Sequence, residues 1–321
     1  LVKNLLYINN GDLTFTERSV EYGISTFGYS VQANFFDYDK DGFLDLYVVN
    51  QPPCKIDLKR ATTSADYAFT DRLYKNQAGK SFIDVTDQSG INNHAYGLSA
   101  AVGDLNNDGW LDIYVANDYS EPDQMLMNNG KGQFTDQINS SVGHVSYFGM
   151  GSDIADFNND GLLDIVVADM VARDNKRLKT SMSGMNPEFL EHLTKDKGYK
   201  EQYMFNTLQL NNGNGFYSEV AQLAGVANTD WSWSTLLADF DNDGYKDLVV
   251  TNGLKKDVRN NDFNKKANKI IKDSGAEPEE KLTLESVSRL MEIFSLMPST
   301  KLHDYLFINN GDLTFSERSV E

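Results

Sequence analysis

Asp37-Tyr38-Asp39-Lys40-Asp41-Gly42-Phe43-Leu44-Asp45 is one of four acidic nonapeptides in this chain of 321 residues; the others are residues 104–112, 156–164 and 239–247. In each, an oxygen-bearing side chain stands at positions 1, 3, 5 and 9, and glycine stands at position 6. Carboxylate and amide oxygens at that spacing can wrap one hard cation. The glycine permits the sharp turn, and position 7 is left to offer its backbone carbonyl. The cation this donor set points to is Ca2+. A single copy would be a weak signal, since Asp, Asn and Gly are ordinary turn residues; four copies in matching context are a strong one.

An EF-hand loop opens in the same way, but it closes with a bidentate Glu at position 12 and lies between helices. Here position 12 is Val48, Val115, Val167 and Val250. Those valines sit in short β-branched runs, residues 44–49, 111–115, 163–167 and 247–250, and the upstream flanks 31–36, 98–103, 149–155 and 234–238 are equally strand-like. The acidic loop therefore joins two strands of a hairpin.

A second element recurs between the acidic loops. Residues 6–15, 73–82, 126–134, 208–216 and 306–315 each read as a strand, an Asn/Gly turn and a second strand opening on Phe, which is a hairpin signature. Alternating the two elements gives four-stranded units, and such units repeating around an axis make an all-β fold, the β-propeller. The expected blades are residues 29–89, 96–141, 147–224 and 231–321, preceded by a half blade at 1–24, in a single segment of about four and a half blades. Residues 6–21 and 306–321 agree at 14 of 16 positions, as either a duplicated or an assembled segment would.

The acidic loops start 67, 52 and 83 residues apart, and the surplus falls between the second and third strands of a unit, at 51–71, 170–203 and 253–303. In a meander those connections lie at the end opposite the acidic loops. That face is the expected place for a protein or glycan partner, because variable loops on a rigid scaffold carry recognition; covering the end of the propeller is the alternative use. The insertion at 254–300 reads as partly helical. Leu284, Val287, Leu290, Met291 and Phe294 fall on one helical face, which is expected to pack on its own domain.

A hydrophobic fraction of 40% with 12% aromatic residues is enough for a core. The net charge of −18 is largely local: fourteen aspartates occupy the loop positions, and four bound Ca2+ would leave about −10. A nucleic-acid partner is not expected. The lone Cys54 excludes an internal disulfide and has no His or second Cys beside it in sequence. No run is long enough to span a bilayer, and Leu1-Val2-Lys3-Asn4 is neither an initiator methionine nor a signal peptide, so the chain reads as part of something longer.

The loops and the strands before them, notably Tyr147-Phe148-Gly149-Met150-Gly151 ahead of Asp156, resemble the FG-GAP/VCBS repeats of integrin α-subunit propellers. With residues 116–122 and Asp230-Trp231-Ser232-Trp233, the whole chain is similar to bacterial FG-GAP-like proteins related to cartilage acidic protein. The resemblance implies a seven-bladed or similar calcium-binding propeller on secreted or surface-anchored proteins with an adhesive or ligand-binding role. Carried over by position, the calcium ligands are Asp37, Asp39, Asp41 and Asp45; Asp104, Asn106, Asp108 and Asp112; Asp156, Asn158, Asp160 and Asp164; and Asp239, Asp241, Asp243 and Asp247. Phe43, Trp110, Leu162 and Tyr245 would give the carbonyl. Asn at position 3 leaves three carboxylates in the second and third loops, which should bind more weakly than the first and fourth. Extracellular modules of this kind bind calcium at ~10⁻⁴ to 10⁻³ M, which suits an extracellular or cell-surface location.

No catalytic constellation is evident. His94, His144, His192 and His303 are scattered, and neither a His-Glu-x-x-His pair nor a Gly-x-Ser-x-Gly elbow occurs. The expectation is a non-catalytic protein. A calcium-dependent polysaccharide lyase is the alternative, and the basic run Arg173, Lys176, Arg177 and Lys179 is what keeps it open. Asn50, Asn117, Asp169 and Asn252, each five residues past a last loop Asp, read as turn residues or as polar lining of the insertion face. Trp231, Trp233, Tyr96, Tyr119 and Tyr147 read as packing between blades, with sugar stacking as the alternative.

Overall fold

The computed structural model describes residues 2–52, 69–181, 186–273 and 284–319; Cys54 lies outside them. Four antiparallel meanders follow one another along the chain. The first is Ser30–Phe36, Asp45–Asn50, Arg72–Asn76 and Phe82–Asp84, and the second is Tyr96–Gly103, Asp112–Asp118, Gln124–Asn128 and Phe134–Asp136. The third is Ser152–Ala155, Asp164–Val167, Thr207–Asn211 and Tyr217–Glu219, and the fourth is Asp230–Ala238, Asp247–Asn252, Tyr305–Asn309 and Phe315–Glu317. Strands pair in chain order, so each acidic loop joins strands one and two and each Asn/Gly turn joins strands three and four. Met170–Val171 adds a short fifth strand to the last sheet, and Tyr7–Asn9 with Phe15–Glu17 forms a separate two-stranded hairpin.

The second strands explain how the sheets stack. Asp45–Asn50 is buried along its whole length, because alternate side chains enter different cores. Tyr47 and Val49 join Ile113 and Val115 of the second meander, while Leu46 and Val48 pack with Ile24 and Leu6 beside the N-terminal hairpin. The pattern repeats one sheet on: Tyr114 and Ala116 meet Ile165 and Val167, and Val166 meets Leu248 and Val250. Each core is thus shared by consecutive sheets, and no meander buries its apolar faces alone.

First strands of neighbouring sheets run close together. Gln32 Nε2 and Asn34 Nδ2 both donate to the Ala100 carbonyl at 3.0 Å, the Ser99 and Ser152 hydroxyls share a hydrogen bond of 2.8 Å, and the Leu237 N–H donates to Asp153 Oδ2 at 2.7 Å. Approach is tightest at Gly151, where a Cβ would stand 2.5 Å from Ser234 Cα and 2.7 Å from the Trp233 carbonyl oxygen.

Three sequence expectations are corrected. The fourth strand of the third meander opens on Tyr217, paired with Asn211, leaving Phe216 exposed in the turn. Gly149 to Gly151 precede the first strand there instead of belonging to it. In the insertion, helices Asn261–Asp273 and Leu284–Ser295 form, but the second turns Ile293, followed by Met297, inward and leaves Met291 and Phe294 exposed. The side chains of Leu284, Val287 and Leu290 lie outside the described residues.

Replacing Gly151 by Ala presses a methyl group against backbone atoms of the next sheet, which cannot swing aside. The expected cost is about 1–3 kcal/mol, read as a lowered midpoint in thermal or urea unfolding. An unchanged midpoint would show that the third and fourth sheets do not meet at this glycine.

Candidate metal centre

All four acidic loops adopt one backbone conformation. Position 4 is left-handed in each, with φ of 58° at Lys40, 57° at Asn107, 60° at Asn159 and 61° at Asn242, and the position 6 glycines lie between 84° and 97°. Three of the four position 4 residues are Asn, the non-glycine type that enters this region most readily. The first aspartate holds the turn: Asp37 accepts from the Asp41 and Gly42 N–H groups at 3.1 and 2.9 Å, and Asp104, Asp156 and Asp239 do the same in their loops. The position 7 residues Phe43, Trp110, Leu162 and Tyr245 donate their N–H to the position 5 carboxylate.

Position 9 is the buried end of the loop. Asp45, Asp112, Asp164 and Asp247 are each 0% exposed. One carboxylate oxygen accepts from the N–H of loop position 2, and the other accepts from the N–H of an Asn on strand three: Asn76, Asn128, Asn211 or Asn309. Burial pushes the Asp45 and Asp112 carboxyls up to about 6 and Asp164 up to about 7, with the backbone donors pulling the other way.

The strand-three asparagines, which in sequence read as part of the Asn/Gly turns, tie the loops together. Asn128 Nδ2 donates to the Leu111 carbonyl of its own loop and to the Tyr38 carbonyl of the preceding one, at 3.2 and 2.9 Å. Asn211 links Leu163 and Leu105 in the same way, and Asn309 links Lys246 and Phe157. Position 4 adds a second bridge, since Asn107 and Asn159 donate to the Gly161 and Gly244 carbonyls of the following loops and the Lys40 ammonium lies 4.2 Å from the Trp110 ring centroid. The signal was in the sequence: an Asn two residues before the turn glycine recurs in the last three meanders.

The donor set fits a divalent cation. One oxygen each from Asp37, Asp39 and Asp45 lies within 4.8 Å of the others, as does one each from Asp239, Asp241 and Asp247, and Asp39 Oδ1 is buried with no hydrogen-bond partner. The loops differ in what stands beside their third and fifth positions. Lys75 contacts Asp39 in the first. In the second and third, the Asn106 and Asn158 amides donate to Asp108 and Asp160 at 2.9 Å, while their oxygens accept from the N–H groups of the same two residues. Among the described residues no Lys or Arg forms an ion pair with the fourth loop. There Asp241 is pushed up by desolvation and then by the neighbouring Asp243 and Asp247 charges.

Other candidate residues resolve into structure. Asn50, Asn117 and Asn252 give their backbone N–H to Asp71, Asp123 and Asp304 at the start of strand three, and their amides to the Thr70, Pro122 and His303 carbonyls. In the third meander the pair is exchanged, with Asp169, two residues past strand two, donating its N–H to Asn206. These residues clasp two strands and do not line an open face. Tyr96, Tyr119, Phe148 and Tyr147 pack edge to face in series, with Arg259 over Phe148 and Trp231, while Trp233 is half exposed and donates to the Gly253 carbonyl. In the basic run Arg177 is paired with Asp230 and Asp257, and Arg173 with Glu317. His94, His144, His192 and His303 meet Thr70, Tyr203, Asp196 and Tyr305 respectively, in separate places.

Antiparallel meanders stacked in series, each with an oxygen-donor loop in its first turn, define the class as an all-β repeat protein. The chain belongs to the FG-GAP-like repeat family, whose repeat matches residues 3–48, 63–115, 104–167 and 197–250. It is 37% identical over 83 residues to cartilage acidic protein 1 of Xenopus tropicalis, covering 26% of this chain and 13% of that protein. Against the Mus musculus protein it is 24% identical over 200 residues, 53% of this chain and 31% of the relative. The chain thus spans less than a third of the length of these relatives. Among solved structures, an Agrocybe aegerita lectin that recognises non-reducing terminal N-acetylglucosamine aligns over 97% of this chain and 72% of its own, with 14% identity and a TM-score of 0.35. The V. cholerae biofilm matrix protein Bap1 aligns over 71% and 36%, with 17% identity and a TM-score of 0.30. At such scores neither likeness carries weight for fold or function. No helix among the described residues is long and apolar enough to cross a membrane.

The buried carboxyls fix the sign of a pH effect. Asp71 and Asp123 at the strand clasps are also pushed up, to about 6 and about 7, by burial. A carboxyl whose folded pKa lies above its unfolded value near 4 keeps its proton in the fold between those values, so stability falls as pH rises through that window. In chelator the melting temperature should therefore rise as pH is lowered from 7 to 5. In saturating calcium the rise should shrink or reverse, because protons compete with the cation at position 9. A chelated protein that loses stability over the same range would contradict this assignment of the buried groups.

Proposed function

We propose that this chain is a non-catalytic, extracellular calcium-binding segment of a β-propeller that acts as an adhesion or ligand-binding module for a protein or glycan. The observation that carries the reading is the fourfold recurrence of one loop conformation with hard oxygen donors at positions 1, 3, 5 and 9. The blades are residues 29–89, 96–141, 147–224 and 231–321, following a half blade at 1–24, within a ring of about seven. Up to four Ca2+ would be held by Asp37, Asp39, Asp41, Phe43 and Asp45 and their equivalents, with the carbonyl of position 7 completing each set.

In this reading the bound ion supplies charge that keeps the crowded carboxylates ionised, and the chain's own residues do the rest. Position 1 shapes the turn, position 9 anchors strand three, and the asparagines pass the constraint to the neighbouring sheet. The weak affinity typical of extracellular calcium modules matches the calcium-rich exterior of cells and would leave the loops empty in a cytosol. The partner face is the end opposite these loops, where the insertions gather. The ion pairs that engage Arg177 and Arg173 weigh against the lyase alternative, which needs free cations beside a base.

Calorimetric titration of chelator-stripped protein with Ca2+, with melting followed at both ends, tests the scaffold. Saturable binding with a marked rise in melting temperature is expected, and Asp108→Ala combined with Asp160→Ala should lower the stoichiometry by two. Binding without stabilisation, or an unchanged stoichiometry, would remove the loops as calcium sites. A glycan array probed in calcium and in chelator tests the partner. Retention of a glycan in calcium alone supports adhesion, whereas release of unsaturated sugar products would replace binding by lyase chemistry.

A further inference from the structure

The residue before the strand-three Asn is apolar in three meanders, Met127, Leu210 and Ile308, and basic in the first, Lys75. Its place is fixed by its neighbour: the Asn76 N–H donates to Asp45 Oδ1 at 2.7 Å and the Asn76 amide donates to the Leu44 carbonyl at 2.8 Å. From there the Lys75 ammonium contacts Asp39 Oδ2 and stands 3.4 Å from Asp41 Oδ2. The side chains of Lys75, Asp39 and Asp41 are 31%, 19% and 33% exposed, so the group is partly withdrawn from water. Lys40, the other cation of this loop, is turned away onto Trp110.

We propose that the first loop carries its own cation: the Lys75 ammonium holds the charge position between Asp39 and Asp41, so this loop is the weakest of the four for calcium and keeps its shape when calcium is withdrawn. The proposal rests on reading the loops as calcium sites. Calcium takes six to eight oxygens, and two of the four carboxylates here face an ammonium that must first be displaced. With Lys75 counted, the first loop has no more net negative charge than the second and third, and in those, among the described residues, no ammonium is paired with a loop carboxylate. The order expected from carboxylate number alone, first and fourth tightest, is inverted for the first loop. The fourth, with four aspartates and no paired cation among the described residues, becomes the tightest. The first sheet, which carries the N-terminal hairpin, would then stay ordered at calcium levels that empty its neighbours.

The test is calorimetric titration of the full chain with CaCl2, beside Lys75→Met, which copies the second meander, and Lys75→Arg, which keeps the charge. The native chain should show one site at least about tenfold weaker than its tightest; Lys75→Met should tighten that site by about tenfold, and Lys75→Arg should leave it weak. Matching isotherms for the native chain and Lys75→Met, with calcium still bound elsewhere, overturn the tethered cation alone. No binding by either chain overturns the calcium reading beneath it. A second pair covers the case of a Lys75 variant that folds poorly: Asp41→Asn should spare the tight sites, whereas Asp243→Asn should cost one, and equal losses of tight binding would overturn the proposal.

Discussion

Four fully buried carboxylates set the terms for everything else in this molecule. A charge cut off from water must be met by donors or a counter-ion, or it takes up a proton. Asp45, Asp112, Asp164 and Asp247 each receive two backbone N–H groups, one from the loop and one from strand three. That pair of bonds ties the first hairpin of a sheet to its second, and leaving such a group unpaired would cost about 1–3 kcal/mol, more for an ion. The shape of the acidic loop is therefore required by sheet assembly even before any metal is considered.

The same loop joins one sheet to the next. Its second residue packs into the following sheet: Tyr38 lies 6.1 Å from Phe134 and Phe157 lies 5.9 Å from Phe315 between ring centroids, and Leu105 shares a core with Tyr217. Phe240, at the same position in the last loop, meets no later sheet among the described residues and is 44% exposed. The near-identical terminal hairpins make the point from the other side. Phe307 is 2% exposed against strand Asp247–Asn252, whereas its counterpart Tyr7, which among the described residues pairs only with the other strand of its own hairpin, is 57% exposed. Stability here belongs to the interfaces between units, as in other repeat architectures.

Much of this was legible in the chain. The acidic nonapeptide, the period-2 strands around it and the Asn/Gly hairpins placed strands within a few residues, because each feature is local and repeated four times. What failed was whatever depends on a neighbour. Phe216 and Tyr217 are adjacent aromatics, and only register with Asn211 decides which one enters the core. Met291 and Phe294 share a helical face with other apolar residues, but the surface that receives the helix selected Ile293. The asparagines of strand three looked like turn residues because their partners, the Tyr38, Leu105 and Phe157 carbonyls, belong to the preceding repeat. Lys75 likewise has no local sign of its partner, since Asp39 lies 36 residues away.

These linkages bear on what a cation in the loops can do. An ion among positions 1, 3, 5 and 9 keeps the ninth carboxylate charged, which strengthens its bonds to strand three. The strand-three Asn is in turn bonded to the loop of the sheet before. Binding at one loop is thus felt by two sheets, through hydrogen bonds that run along the end of the molecule where all four loops lie. The insertions leave from the opposite ends of the strands, with strands of four to nine residues between. Coupling to a partner there would have to pass through buried strands such as Asp112–Asp118. If the loops hold calcium as proposed, the ion would act on the rigidity of the stack, because the hydrogen bonds that it would strengthen run from loop to strand three and on to the preceding loop.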